Sequence, residues 1–265
     1  MMNLKQFGKY VENYQDILPE GAFRISPSKL YGFKVDKPKW YQEQVLGIDE
    51  FSGNTYTEIG TIVHRIAERY IKTRGSDVDE IEQYISTLTP SEEVDVDYIQ
   101  TQWRVMGEAL VNHLIVYGIP NRSEEVLSYE FRDGIWIVGT ADAVLADSCL
   151  IDFKTTSKHS VGDTIPPYYK LQLLVYAWLY RKQGVYIDRV RITWVTHNDV
   201  NRISEKTGKP MKDYPTEVID VTEMVTDEDM KYVEDYLNLV ADTYEAIKKS
   251  PELAYLIIGD TTLRS

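Results

Sequence analysis

Ile135-Trp136-Ile137-Val138-Gly139-Thr140-Ala141-Asp142-Ala143-Val144-Leu145 is followed, after Ala146-Asp147-Ser148, by Cys149-Leu150-Ile151-Asp152-Phe153-Lys154-Thr155. Both runs are rich in β-branched and aromatic residues and are separated by turn formers, which reads as two antiparallel strands. With Val126 to Arg132 ahead of them, set off by Asp133-Gly134, they form a three-stranded meander. A turn centred on Asp147 places Asp142 opposite Asp152. Like charges facing each other across strands are unfavourable, and burying them is worse, unless a cation lies between. Strand alternation puts Lys154 on the face of Asp152 and Phe153 on the other. Two aspartates and a lysine thus converge on one patch, and hard oxygen ligands suit Mg²⁺ or Mn²⁺. A partly exposed Asp–Lys ladder fits the same spacing, so the strands alone leave both readings open.

Working outward, the first half of the chain is mostly helical. Asn3 to Ile17, Asp77 to Thr87 and Ser91 to Tyr117 read as helices, as does Thr55 to Arg74, where Ile59, Val63, Ile66, Ala67 and Tyr70 recur at helical spacing ahead of Gly75. After the meander come a helix over Tyr168 to Lys182 and an alternating strand over Arg189 to Thr196, with Val190, Ile192 and Trp194 on one face. Then follow a polar excursion over Asn198 to Pro215, a short strand over Glu217 to Val221, and a helix from a Thr226 cap to about Lys249 with Asp229 at the capping-box position. The excursion reads as a solvated hairpin or as a wedge against DNA. No repeat or linker breaks the chain. The expected fold class is α/β: a central mixed sheet flanked by helices with a helical N-terminal portion, in one domain over residues 1–265. Residues 1–124 are its helical part, 125–197 its catalytic sheet and helix, and 198–265 its hairpin and last helix.

Composition narrows the chemistry. With 43% hydrophobic and 27% charged residues over 265, the chain is of ordinary globular make-up. No apolar run reaches the roughly 20 residues a membrane helix needs, and Met1 to Tyr14 is too polar for a secretory leader, so a cytoplasmic protein is expected. One cysteine, Cys149, excludes an internal disulfide, a four-thiolate zinc site and a four-cysteine iron–sulfur cluster. A net charge of −13 argues against purely electrostatic nucleic-acid binding. Two windows run against that sign: Pro27 to Tyr41, with Lys29, Lys34, Lys37 and Lys39 against Asp36, and Phe153 to Lys182, with Lys154, Lys158, Lys170, Arg181 and Lys182 against Asp163. Both carry aromatics, the mixture that tracks a phosphate backbone while stacking on bases; chance clusters with core aromatics are the alternative.

His64 sits beside the apolar stripe of its helix, with Gly60 one turn before and Glu68 one turn after. Gln172 and Tyr176 project from one helical face, and Gln172 interrupts a run of leucines. Alone, each is as readily a packed core residue. In order, however, Gly60-Thr61-x-x-His64, Gly139-x-x-Asp142, Asp152-x-Lys154 and Gln172-x-x-x-Tyr176 resemble the motif series of RecB-type nucleases in the PD-(D/E)XK superfamily. Ile25-Ser26-Pro27-Ser28-Lys29-Leu30 and Pro38-Lys39-Trp40-Tyr41 resemble the segment that opens such domains, and Glu130 stands where many members place an acidic residue. Lys37-Pro38 replaces the Cys-Pro of cluster-bearing relatives, so the likeness is to cluster-free, phage-type exonucleases.

The resemblance implies a restriction-endonuclease-like core and a metal-dependent phosphodiesterase. His64, Asp142, Asp152 and the Phe153 carbonyl would hold Mg²⁺ or Mn²⁺, and Lys154 would orient the attacking water. Gln172 and Tyr176 would position the scissile nucleotide, leaving a 5′-phosphate and a 3′-hydroxyl. Glu130, Ser28, Lys29, Lys158 and Lys170 are candidates for substrate contact. No iron–sulfur cluster or nucleotide cofactor is expected. Thr207-Gly208-Lys209-Pro210 lacks the upstream glycine and the following Ser/Thr of a Walker A loop, and no Gly-x-Ser-x-Gly or His-Glu-x-x-His occurs. The expected partner is DNA, single-stranded or at duplex ends, with a helicase or a single-strand annealing or binding protein alongside and no membrane. The expected activity is exonucleolytic, on linear DNA in recombination, repair or phage DNA processing. A catalytically silent binding module and a structure-specific endonuclease are the alternatives; the complete Asp142, Asp152, Lys154 set argues against the silent module.

Overall fold

The structure is a computed structural model that describes residues 17–48, 53–76, 78–204 and 206–259; all but the last residue of the helix expected over Asn3 to Ile17 lies outside them. Six strands form one mixed sheet: β1 (Phe23–Ile25), β2 (Arg122–Arg132), β3 (Ile135–Val144), β4 (Cys149–Thr156), β5 (Arg189–Thr196) and β6 (Val218–Met224). The helices are α1 (Gly32–Val35), α2 (Lys37–Gln44), α3 (Thr55–Thr73), α4 (Val78–Thr87), α5 (Val96–Tyr117), α6 (Pro167–Lys182), α7 (Asp227–Lys249) and α8 (Ala254–Ile258). Alternation along the strands sorts these helices. Cys149, Ile151, Phe153 and Val195 pack with α3, α4 and α5, while Leu150, Val190, Ile192 and Trp194 pack with α6 and α7. Among the described residues no helix is long and apolar enough to cross a membrane.

Local chemistry sets the ends. Asn54 caps α3 by accepting from the N–H groups of Tyr56 and Thr57, and Thr226 with Asp229 forms the expected capping box on α7. Helix α5 starts at Val96 rather than Ser91: the Ser91 hydroxyl accepts from Glu93 and Val94 in a turn of its own, and Asp95 is the cap. Strand β2 starts four residues before the expected Val126, because the polar run Arg122 to Glu125 hides a strand that pairs with the end of β3.

The meander is the main correction. β2 and β3 pair antiparallel along their length. β3 and β4 pair only at Ala143–Ile151 and Val144–Leu150, in the expected register. Beyond that point β4 leaves β3 and runs parallel to β5 from Cys149–Arg189 to Thr156–Thr196. β1 pairs in parallel with Ile135 to Ile137, at the other end of the same edge of β3. Between β1 and β4 the sheet therefore forks, and Asp142 and Asp152 stand at the crotch.

Candidate metal and phosphodiester site

The fork is held open by a side chain. Asp142 Oδ2 accepts the main-chain N–H of Phe153 at 2.9 Å, a donor that a continued ladder would have given to β3. Asp152, 3% exposed, shares the face of Leu150 and so looks toward α6, where Gln172 Nε2 donates to its Oδ1 at 3.3 Å. Lys154 Nζ donates to the same Oδ1 at 2.9 Å and lies 2.8 Å from Oδ2. Oδ2 is buried, with that ammonium as its near neighbour. His64 comes from α3 on the other side of the sheet, its Nδ1 3.3 Å from Asp142 Oδ2 and its ring edge-on to Phe153. The gap in the sheet is what lets groups from both faces meet.

One of the two motif glycines makes room. A Cβ at Gly139 would lie 2.6 Å from Tyr176 Oη and 3.0 Å from Pro27 Cδ, so α6 can seat against β3 only without one. A Cβ at Gly60 would stand 3.4 Å from Thr155 Oγ1, an ordinary contact, so this glycine leaves the face of α3 bare beside β4 without relieving a clash.

One residue of the cluster escaped the sequence reading. Glu124 in β2 is directly across from Asp142, and the ladder passes it by, pairing Ser123 with Ala143 and Glu125 with Ala141. Its φ of 53° is left-handed, an uncommon state for a residue with a side chain. Ligand atoms of His64, Glu124 and Asp142 all lie within 4.8 Å of one another. The signal was present in Glu124-Glu125, two acids at the edge of a strand, but only the cross-strand register selects between them.

The charges report the same crowding. Burial raises Asp152 to about 6, with Asp142 adding to the shift and Lys154 opposing it. Burial and Asp142 push Glu124 up, and burial raises Asp142. Burial and the Lys154 charge lower His64 to about 4, while the Asp152 charge and a main-chain hydrogen bond to Phe153 oppose them. Burial would depress Lys154, but Asp152 and Asp142 outweigh it and the ammonium is held above its ordinary range. An imidazole kept neutral and several acids in mutual repulsion form a donor set that fits a hard divalent ion. Above it lies a cleft of about 550 Å³, lined by His64, Glu124, Asp142, Lys154, Thr155 and Tyr169 among others.

The family model of the PD-(D/E)XK nuclease superfamily matches residues 24–253. The chain belongs to that superfamily. No curated protein matches this nuclease to a significant degree. Among solved structures it resembles a Eubacterium rectale protein provisionally assigned as an exonuclease, at a TM-score of 0.55 and 14% identity, over 92% of this chain and 86% of that one. At such identity the likeness speaks for the fold alone. An alkaline exonuclease from Laribacter hongkongensis overlaps 72% of this nuclease and 92% of its own chain at a TM-score of 0.34 and 12% identity, too distant to transfer anything.

The other candidate residues scatter. Tyr176 is buried against Gly139. Glu130 is exposed at the β2–β3 turn, opposite Trp136 and accepting from the Gly134 N–H, about 20 Å along β3 from Asp142. Ser28 Oγ bonds Ser26 Oγ at 3.1 Å. Lys29 pairs with Glu43 at 2.9 Å, Lys170 with Glu223 at 2.7 Å, and Lys158 with Glu217. Arg181 and Lys182 likewise pair with Asp227 and Glu234. Lys158, Lys170, Arg181 and Lys182 of the second basic window are thus paired with acids distant in the chain, and Lys29 and Lys39 of the first with the nearby Glu43; Glu68 pairs with Arg65 and Lys72, not with His64.

Proposed function

We propose that this nuclease is a divalent-metal-dependent exodeoxyribonuclease that shortens linear DNA. The observation that carries the reading is the convergence, in one fork of the sheet, of ligand atoms of His64, Glu124 and Asp142, with the Asp152–Lys154 pair, 2.8 Å apart, beside them. His64 Nδ1, a Glu124 oxygen, the Asp142 and Asp152 carboxylates and the Phe153 carbonyl are the groups that would hold Mg²⁺ or Mn²⁺. A bound divalent ion lowers the pKa of a water and neutralises charge growing on the phosphate. Lys154, kept protonated by its two carboxylates, serves as a fixed cation and hydrogen-bond donor toward water and phosphate rather than as a base. Gln172 holds Asp152 in place through its amide, and Tyr176 fixes α6 against β3. Water adds to phosphorus and the 3′-oxygen leaves, giving a 5′-phosphate and a 3′-hydroxyl.

Support for the exonucleolytic mode is the size of the cleft. About 550 Å³ is the scale of a small-molecule site, room for one or two nucleotides of a strand at the candidate ligands. The setting that fits is cytoplasmic, on DNA ends produced during recombination, repair or phage DNA processing by a helicase or protected by a single-strand binding or annealing protein. The test is end-labelled linear and covalently closed circular DNA incubated with Mg²⁺, Mn²⁺ or EDTA. Linear DNA should shorten from an end with either metal, circles should persist, and EDTA should silence the reaction. Discrete fragments from closed circles would overturn the mode, and cleavage by Asp152→Asn or Lys154→Ala at the wild-type rate would overturn the site.

A further inference from the structure

A second cleft, about 670 Å³, opens beside the first and shares Tyr56 and Thr155 with it. It lies past the carboxyl ends of the parallel strands β4 and β5, where side-by-side strand ends in α/β sheets form ligand crevices. Nothing in the hydrolytic site uses it.

Tyr56 stands at the shared mouth and is 58% exposed. One face of its ring is backed by His197, nearly parallel at 21° with centroids 5.3 Å apart, and Tyr98 meets it edge-on at 6.4 Å. His197 is pinned in turn, its N–H donating to the Thr156 carbonyl at 2.9 Å. Its ring is 6% exposed, and its Nε2 is buried without a hydrogen-bond partner among the described residues, so it braces Tyr56 as a neutral plane. An aromatic side chain already fixed on one face loses little freedom when something stacks on the other.

Position ties this platform to the hydrolytic site. Tyr56, Gly60 and His64 follow one another at single-turn steps on α3, so the platform is about 12 Å along the helix from the metal-ligand histidine. Gly60, between them, raises no side chain into the path. The walls then sort the parts of a nucleotide. The described residues that line the cleft include the carboxylates of Glu92, Glu93, Asp95 and Asp199, of which Asp95 also caps α5 and Asp199 accepts from the Tyr98 hydroxyl, and one basic side chain, Arg202, tied to Asp199 at 3.0 Å. Such walls repel phosphate but accept from N–H groups, as carboxylates do from the amine of cytosine.

We propose that this cleft is a nucleobase subsite: Tyr56 stacks the base of the nucleotide adjacent to the scissile one, and the acidic wall beyond favours bases that carry an exocyclic amine. The subsite rests on the nuclease reading above. The backbone of the strand stays on the Lys154 side while the base turns into the second cleft.

The test compares wild type with Tyr56→Ala and Tyr56→Phe on fluorescein-labelled oligodeoxycytidine and oligothymidine. Binding is read by anisotropy in EDTA at low salt, and cleavage as kcat and KM in Mn²⁺. Wild type should bind and cut oligodeoxycytidine in preference to oligothymidine. Tyr56→Ala should lose affinity for oligodeoxycytidine by roughly 5- to 150-fold, the worth of one base–aromatic stack, with the loss seen in KM, and Tyr56→Phe should recover it. Because Tyr56 is exposed, matching melting temperatures verify that the variants fold. Cleavage by Tyr56→Ala with wild-type KM and base preference defeats the subsite alone. A wild-type protein that neither binds nor cuts either oligonucleotide defeats the nuclease reading and the subsite together.

Discussion

Asp152→Asn should stabilise the metal-free protein, although it removes a buried ion pair. In the fold the Asp152 carboxyl titrates near 6 instead of 3.8, mainly because it is buried and because Asp142 faces it. A shift of about two units at ~1.4 kcal/mol each is a penalty of about 3 kcal/mol at neutral pH. Asparagine removes that penalty but leaves Lys154 with Asp142 and the Tyr169 ring, 5.2 Å away, in place of its direct partner. That shift is already net of the Lys154 attraction; allowing about 1–2 kcal/mol for an amide NH₂ set among the donors Lys154 and Gln172, the net gain is about 1–2 kcal/mol, or a rise in Tm of roughly 2–8 °C for a chain of this size. The sign follows from linkage. The folded-state pKa is raised, so below about pH 4 the carboxyl is protonated in both states and carries no ionisation penalty; the penalty grows with pH and is complete above about 6. Melting curves in EDTA at pH 4, 5, 6 and 8 should show the Asn-minus-Asp difference become more positive as pH rises. Mn²⁺ should reverse the order at pH 8, since an ion that binds the native state stabilises by mass action and the variant has lost a ligand. A variant less stable than wild type in EDTA at pH 8, or a difference indifferent to pH, would refute the account of this carboxylate.

The affinity for Mn²⁺ should rise from about pH 5 and keep rising past pH 7, because the Asp152 proton and then that of Glu124, pushed up to about 9, must leave before these carboxylates can serve as ligands; calorimetry on Asp152→Asn should remove the slope between pH 5 and 7, and an unchanged slope there would assign it elsewhere. Glu124→Gly should relieve a left-handed φ and raise metal-free stability by about 1 kcal/mol while weakening Mn²⁺ binding; a melt that falls and an isotherm that does not move would remove Glu124 from both roles. Gly139→Ala should cost about 1–3 kcal/mol by overpacking, since its Cβ would enter the space of Tyr176 and Pro27. Chemical denaturation that finds Gly139→Ala as stable as wild type would show that α6 has slack to give.

Residues 135–155 determined a good deal unaided. Periodicity and the turn around Asp147 are local properties, so the register that brings Asp142 level with Asp152 was readable, and it holds at the two pairs that form. The glycines at 60 and 139 and the order of the short motifs were readable in the same way, because each is spelled within a few residues. What the tertiary structure decided lies between segments far apart in the chain. Strand β4 gives up β3 for a parallel partner that begins forty residues later, and only that choice opens the fork in which His64 from one face meets Lys154 from the other. Glu124 rather than Glu130 enters the site because cross-strand register, not composition, selects which acid faces Asp142. The lysines that looked like a basic channel are answered by Glu43, Glu217 and Glu223. A charge run read along the chain shows sign, whereas its field in the fold is set by the counter-charges that distant segments bring within a few ångströms.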